Sequence, residues 1–358
     1  MTLHVFNPEH DIALGANLAN FTAPRAGRQL RADLGWLPAL WAADGDMVMV
    51  GDVASASRQW KRMAGRVVGI KGVGSAARKE IVFVSGKEPD SIRSVTAVDV
   101  WGWDRALRAE MIRKGVDVSI LPADDYIERV RQLSHRRTAA RLLPQLRRDG
   151  TVGEAFECAT TEEVEELMNH YGRVVVKVPW SSSGRGVRFV AAADCSFDAW
   201  LRGVLTRQGS VMVEPQYDKV KDFGMEFYAD GRGSIRYEGL SLFHTANGAY
   251  IGNILATEQA KRAMIGRYVP LALLDSICED ILADLDLADY RGPFGIDMMV
   301  VKAHGDTLAL HPCVEINLRR TMGHVALAMS PDADDVCRVM RINYTDRYRL
   351  SVRKLFRH

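Results

Sequence analysis

The chain has 358 residues, 47% of them hydrophobic and 26% charged, with a formal net charge of +2. That length suits two or three domains of roughly 100–200 residues each, with a core large enough to need no disulfide staples. The near-neutral charge excludes a dedicated nucleic-acid binder, and five scattered cysteines without a CxxC pair exclude a zinc ribbon or a disulfide framework. A reducing compartment fits this cysteine usage. No apolar run approaches the ~18 residues of a membrane span. The opening segment, with Glu9, His10 and Asp11, lacks the basic-then-apolar order of a signal peptide. A cytoplasmic protein with no membrane partner is expected.

In chain order, Thr2 to Phe6 reads as a short buried strand closed by Asn7-Pro8. A helix is expected around Gln29 to Trp41. Strands are expected at Asp46 to Val50, Arg66 to Ile70, Ile81 to Val84 and Val95 to Val100. Trp103 to Lys114 reads as a helix stopped by Gly115, and Val116 to Leu121 as one more strand. Strands alternating with helices predict an α/β domain with a parallel sheet over residues 1–125. A single long helix, Asp124 to Leu146, is expected to follow as a connector.

Beyond it the pattern changes. Arg173 to Val178, Val187 to Val190 and Val211 to Glu214 read as strands. Phe223 to Ala229 and Ser234 to Phe243 read as a hairpin turning at Asp230-Gly231. Leu271 to Leu285 carries helical spacing, and Asp297 to Val301 with Leu308 to Ile316 forms a last hairpin. This half predicts an α+β unit over residues 126–358, with a small subdomain at about 147–213 and a larger one at about 214–358. Basic runs at Arg129 to Arg148 and from Arg338 onward read as two solvated helix faces.

The last hairpin carries the sharpest chemistry. Folded about Asp306, it sets Asp297 directly opposite Glu315, with Cβ atoms ~5 Å apart on one face. Asn317 lies two residues beyond Glu315 and shares that face. Opposed carboxylates repel unless something compensates them. Magnesium is suited to this, since it takes one or two carboxylates together with substrate phosphates. An uncompensated acidic edge is the other reading at this point. Pro312 must sit where its missing N–H does not face the partner strand.

A second motif is the strand bearing Lys177, followed by Ser181, Ser182, Ser183, Gly184, Arg185 and Gly186. Small residues let backbone N–H groups approach phosphate oxygens. A flexible hairpin tip would read the same way. The lysine precedes the loop, unlike the Walker A order, and no Walker A sequence occurs. Gly72 to Ala77 mimics a dinucleotide fingerprint, but the strand expected at Ile81 leaves its helix too short.

Taken together and in this order, the lysine strand with its loop, Val213-Glu214 and the acidic hairpin resemble the ATP-grasp superfamily over roughly Arg136 to Asn317. The resemblance implies that Lys177 holds phosphates, that Ser181 to Gly186 closes over the triphosphate, and that the Glu214 strand reads adenine and ribose. Gly224-Met225-Glu226 is similar to the family's Gly-x-Glu element. Asp297, Glu315 and Asn317 match its magnesium ligands, and Arg319 an arginine that could stabilise the transferred group. Arg136 stands where many members have a lysine, and the two are not interchangeable at phosphate. The implied cofactors are ATP and Mg2+. The implied activity is an ATP-dependent ligase that joins a carboxylate to an amine, or less often a thiol, through an acyl phosphate. A small-molecule kinase and a non-catalytic nucleotide sensor are the alternatives. The expected partners are a small-molecule carboxylate and amine and no nucleic acid, with a homodimer left open.

Substrate contacts are sought on polar loops. His244, Tyr250 and Asn253 lie in the stretch HTANGAYIGN. Asn7, Glu9, His10 and Asp11 follow the first strand, where ligands gather in parallel sheets. His324 is a candidate through its nearness in sequence to Arg319, whereas Trp101 and Trp103 read as packing.

Overall fold

The computed structural model describes residues 1–66, 79–86, 92–181, 186–191, 195–246, 249–303, 305, 307–333 and 337–354. The Gly72–Ala77 motif and Ser182, Ser183, Gly184 and Arg185 lie outside them.

The first part is the expected α/β unit. Strands β1 (Thr2–Val5), β2 (Met47–Val50), β3 (Val82–Ser85) and β4 (Ala97–Val100) form a parallel sheet in the order β3-β2-β1-β4. Both faces are covered, as a parallel sheet requires. Leu3, Val5 and Met49 pack with Leu107 and Met111 on one side, while Val48 and Val50 pack with Trp36, Leu37 and Trp60 on the other. The expected Gln29–Trp41 helix runs instead over Arg25–Leu34, and Pro38 sets a separate 3-10 turn at Leu37–Leu40. Val116 to Leu121 is not a strand. Asp117 accepts a bond from Ser119 N and sets a 3-10 turn over Val118–Ile120. Arg66 ends the helix Val53–Arg66 rather than beginning a strand, and residues 67–70 lie outside the described ones.

The connector is two helices, Asp124–Leu133 and Arg137–Leu146, rather than one. At the break the His135 ring turns back to accept the Arg137 N–H, 3.0 Å away. This side-chain competition for a backbone donor interrupts the helical ladder and leaves Arg136 at the second helix's N-terminus.

Three further four-stranded sheets follow. Strands β5 (Phe156–Cys158), β6 (Val174–Lys177), β7 (Val187–Val190) and β8 (Val211–Pro215) form an antiparallel sheet in the order β5-β8-β6-β7. A second antiparallel sheet, in the order β10-β9-β13-β14, holds β9 (Asp218–Asp230), β10 (Ile235–Ser241), β13 (Arg291–Lys302) and β14 (Leu308–Asn317). The helix Leu271–Asp284 buries Leu274, Ile277 and Ile281 in the core that also holds Phe227, Phe294 and Leu310.

The fourth sheet joins β11 (Phe243–Ala246), β12 (Ala249–Leu255), β15 (Arg338–Tyr344) and β16 (Tyr348–Lys354) in that order. The basic C-terminal run is therefore a hairpin and not a solvated helix face. Its alternating Met340, Ile342, Leu350 and Val352 pack into the cluster containing Trp36 and Trp60, which ties the end of the chain to its first sheet. The other basic run is mostly paired: Arg136 and Arg137 meet glutamates, and Arg148 bonds Ser276 and Asp280. Among the described residues, no helix is long and apolar enough to cross a membrane.

Candidate functional site

Strand β13 sits in the middle of the second sheet, and its pairing sets the site. Asp297 faces Glu315 on one side and Gly224 on the other. Near the hairpin tip the register is different: Met299 faces His311 and Lys302 faces Leu308. Between the two registers, Met298 alone opposes Pro312, Cys313 and Val314. This bulge shifts the pairing by two residues, which keeps the side-chain parity of the strand. It also takes Pro312 out of the regular ladder, where its missing N–H breaks no bond.

Asp297 is pressed from several sides. Burial, then Glu315 and Glu226, push its carboxyl up to about 8. Asn317 Nδ2 donates to Asp297 Oδ2 at 3.2 Å, and Arg319 Nη2 donates to Asn317 Oδ1 at 2.8 Å. Among the described residues there is no cluster of three histidine, cysteine or acidic side chains fit to hold a metal. The donor set is two carboxylates and one amide oxygen, which is the sparse hard-oxygen set that magnesium completes with phosphates and water. Burial first, and the neighbouring carboxylates second, disfavour the charged form of Asp297, and a divalent cation would offset both.

Lys177 and Glu214 lie on adjacent antiparallel strands of the first antiparallel sheet. Lys177 Nζ donates to Glu214 Oε2 at 2.6 Å, and each residue is 7% exposed. The loop after Lys177 is closed by Val178 N donating to Gly186 O at 2.8 Å. Gly186 has φ +102°, and a Cβ there would fall 2.8 Å from Val178 Cγ2, so glycine is needed on both counts.

Arg136 connects the two sheets. Its Nε donates to Val178 O at 3.0 Å and its Nη2 to Ser181 Oγ at 3.2 Å. Its Nη1 lies 2.7 Å from Glu315 Oε1. One guanidinium thus ties the base of the serine–glycine loop to the acidic hairpin, a fork geometry that lysine lacks.

Arg319 is fully engaged. Its Nε and Nη2 meet both oxygens of Asp11 at 2.8–2.9 Å, and Nη1 donates to Arg320 O. Burial alone would raise the Asp11 carboxyl, but Arg319 overrides it and holds it below the usual range. Asp11, in the helix His10–Ala16 that follows β1, therefore forms one chain of contacts with Arg319, Asn317 and Asp297, reaching the acidic pair.

Beside Asp297 lies a second polar group. Glu226, 3% exposed, accepts from Thr321 Oγ1 at 2.8 Å and sits 3.0 Å from His324 Nδ1. Tyr250 OH donates to Asn253 Oδ1, and Asn253 Nδ2 to Ser241 Oγ at 2.8 Å. A Cβ on Gly323 would fall 1.7 Å from Glu226 Oε1, and one on Gly295 would fall 2.6 Å from Oε2. Overpacking of this kind costs about 1–3 kcal/mol. Gly323→Ala is expected to lower the melting temperature by several degrees, and an unchanged melt would show that the Glu226 carboxylate is free to move aside.

The remaining candidates lie elsewhere. His244 Nδ1 is 3.3 Å from Lys221 Nζ, and burial and that cation lower its pKa. Asn7 Nδ2 donates to Gly102 O and Asp104 Oδ2, and Glu9 accepts from Arg31 at 3.0 Å. Asn7 thus holds the segment that caps the helix Arg105–Arg113 and Glu9 holds the helix Arg25–Leu34, and neither bonds to the acidic pair among the described residues. Sequence reasoning did not assign Asp11 to Arg319, nor Thr321 to Glu226. Asp11 had only its place after β1 to mark it, and Thr321 only its capping box with His324.

No protein-family profile matches the chain, and no curated protein does. Among solved structures, the chain is similar to N5-carboxyaminoimidazole synthetase from Staphylococcus aureus complexed with ADP. That pair is 10% identical with a TM-score of 0.47, covering 96% of this chain and 82% of the other. It is also similar to the biotin carboxylase domain of Hydrogenobacter thermophilus 2-oxoglutarate carboxylase, in complex with MgADP, ADP and bicarbonate. There identity is 12% and the TM-score 0.49, covering 95% and 74%. A candidate ATP-grasp superfamily protein from Archaeoglobus fulgidus is 10% identical with a TM-score of 0.47, covering 99% and 100%.

Proposed function

We propose that this chain is an ATP-grasp enzyme that uses magnesium–ATP to join a carboxylate to an amine through an acyl phosphate. The observation that carries this reading is the Arg136 bridge. It brings the serine–glycine loop and the Asp297–Glu315–Asn317 face to one guanidinium, and the Lys177–Glu214 pair stands on the same sheet as that loop.

Asp297, Glu315 and Asn317 would hold the magnesium, whose chemistry is to neutralise phosphate charge. Lys177 and the loop N–H groups would hold the triphosphate, since phosphoryl transfer is mostly positioning and charge neutralisation. Arg319 keeps Asn317 in place, and its bond to Asp11 makes the first sheet part of the support. Tyr250, Asn253 and Ser241 line up polar groups next to Glu226, where an acceptor could be oriented. The division into residues 1–125 and 126–358 belongs to the same proposal.

The test uses Glu315→Gln, which keeps a partner for Arg136 while removing the charge. Removing one such electrostatic contact commonly costs about 10²–10³-fold in rate. ADP release in the presence of pooled carboxylates and amines should fall by at least ~100-fold, with the circular dichroism spectrum unchanged. Normal ADP release by this variant would remove the magnesium assignment.

A further inference from the structure

The basic run that opens at Arg338 plays no part in the acidic hairpin's site, yet it builds a site-like feature of its own. Strand β16 is the outer strand of the fourth sheet. A cavity of about 300 Å³ is lined by this strand, the turn before it and the helix Val53–Arg66. Its floor is apolar, with Trp36 and Met63 buried and Leu350 beside them. Its rim is cationic: Arg62 comes from the helix, and Arg347, Arg349 and Arg353 from the hairpin. No carboxylate lines it among the described residues, and none of its lining residues belongs to the candidate nucleotide site.

Two periodicities bring these groups together. In the hairpin register Arg341 faces Ser351 and Asn343 faces Arg349. Arg349, Ser351 and Arg353 therefore share one face, while Leu350 and Val352 take the other into the Trp36 cluster. On the helix, Gln59, Arg62 and Met63 stand at i, i+3 and i+4 and share a side. Gln59 Oε1 accepts from Trp36 Nε1 at 3.1 Å, which fixes the floor to that helix.

The charges there are poorly matched. Asp346 pairs with Arg349 Nη2 at 2.8 Å and is close enough to Arg347 to feel its charge. Arg62 and Arg353 make no ion pair among the described residues. The strand edge adds a backbone donor. Tyr348 N donates outward to Asp33 Oδ2 at 2.8 Å, so an anionic oxygen already sits on this edge. Alternate residues of an edge strand point their N–H groups the same way, and Leu350, which lines the cavity, follows at that spacing. Gathered like charges cost stability unless a counter-charge binds. Guanidinium forks fit phosphate oxygens bidentately. The volume stands at the lower end for small-ligand pockets, which suits a compact anion with its charge concentrated in phosphoryl groups.

We propose that this cavity is a second anion site, which takes a small molecule bearing phosphoryl groups and is distinct from the magnesium–nucleotide site. The ligand would hold the C-terminal hairpin to the helix Val53–Arg66, with Arg62 and Arg353 closing on it from the two sides.

The test compares the parent with the double variant Arg62→Gln, Arg353→Gln, using inorganic pyrophosphate in EDTA. Without a metal the acidic pair repels phosphate, so pyrophosphate reports the cationic cavity. Its binding, read by isothermal titration, should weaken at least about tenfold in the variant. In the parent it should slow hydrogen exchange over Val53–Arg66 and Tyr348–Lys354. Magnesium–ATP binding should be the same in both proteins. The ligand-free variant should melt at the same temperature or higher, because like charges have been removed.

Equal pyrophosphate affinity in the two proteins would overturn the proposal, as would no binding by the parent. Citrate bound as tightly as pyrophosphate, and lost in the same variant, would make the cavity a carboxylate site and overturn the phosphoryl assignment. A single-stranded oligonucleotide bound more tightly than pyrophosphate, and lost likewise, would overturn it in favour of a nucleic-acid surface.

Discussion

Asp297→Asn is expected to stabilise the metal-free protein at alkaline pH while eliminating magnesium-dependent ATP turnover. The carboxyl is pushed up to about 8 from 3.8 by burial, with Glu315 and Glu226 adding to it. Each unit of such a shift costs the charged form about 1.4 kcal/mol. Between about pH 4 and pH 8 the folded chain holds this proton when the unfolded chain has released it. Stability therefore falls as pH rises through that window, and the penalty is complete above pH 8. Asparagine carries no charge to desolvate, so its advantage should be absent near pH 4 and largest above pH 8. Thermal melts with EDTA across that range measure it.

Magnesium should reverse the order. A cation binding between Asp297 and Glu315 needs the deprotonated carboxylate and so releases a proton below pH 8. In the parent, magnesium should raise the melting temperature more at pH 8 than at pH 6. In Asp297→Asn it should do so at neither. A magnesium shift that ignores pH, or that survives in the variant, would place the ion elsewhere.

The Asp297–Glu315 pairing was legible because it depended on parity alone. Counting back from Asp306 supplied the right partner even though the tip pairs in another register, since the bulge at Pro312 to Val314 shifts the strand by two. A one-residue bulge would have put Glu315 on the other face. The strands of the first sheet, β6, β7 and β8, and the strands of the β10-β9-β13-β14 sheet were legible from apolar runs and turn residues, whereas the three-residue β5 was not expected. The break at Ser134 to Arg136 was not, because a histidine capturing a backbone N–H leaves no trace in helical spacing. The C-terminal hairpin was hidden for a different reason. Its arginines alternate with apolar residues at strand spacing, but their density read as a solvated face. The Asp11–Arg319 pair spans 308 positions and has no local code at all. Contacts of that kind are set by how sheets pack, which the sequence specifies only collectively.

Arg136→Ala should be among the most damaging single changes in the chain, for stability as well as for turnover. The guanidinium is 8% exposed and serves Val178 O, Ser181 and Glu315 at once. Its loss takes from Glu315 its nearest cation and leaves Arg319 as the positive charge beside the acidic pair. Breaking a fully buried pair from one side costs about 3–5 kcal/mol, and the 26% exposed Glu315 side chain puts this pair below that. Arg136→Lys restores the charge but not the fork, so it should recover part of the stability while ATP turnover stays low. A double-mutant cycle separates the two contributions. If the Glu315 contact carries the cost, Arg136→Ala combined with Glu315→Gln should be less destabilised than the sum of the single changes by at least ~1 kcal/mol in urea melts. Additive losses would mean that Arg136 acts mainly through Val178 and Ser181. The sheets would then be coupled through the loop rather than through the acidic hairpin. In that case the loop base should loosen in hydrogen exchange in Arg136→Ala and remain protected in Glu315→Gln.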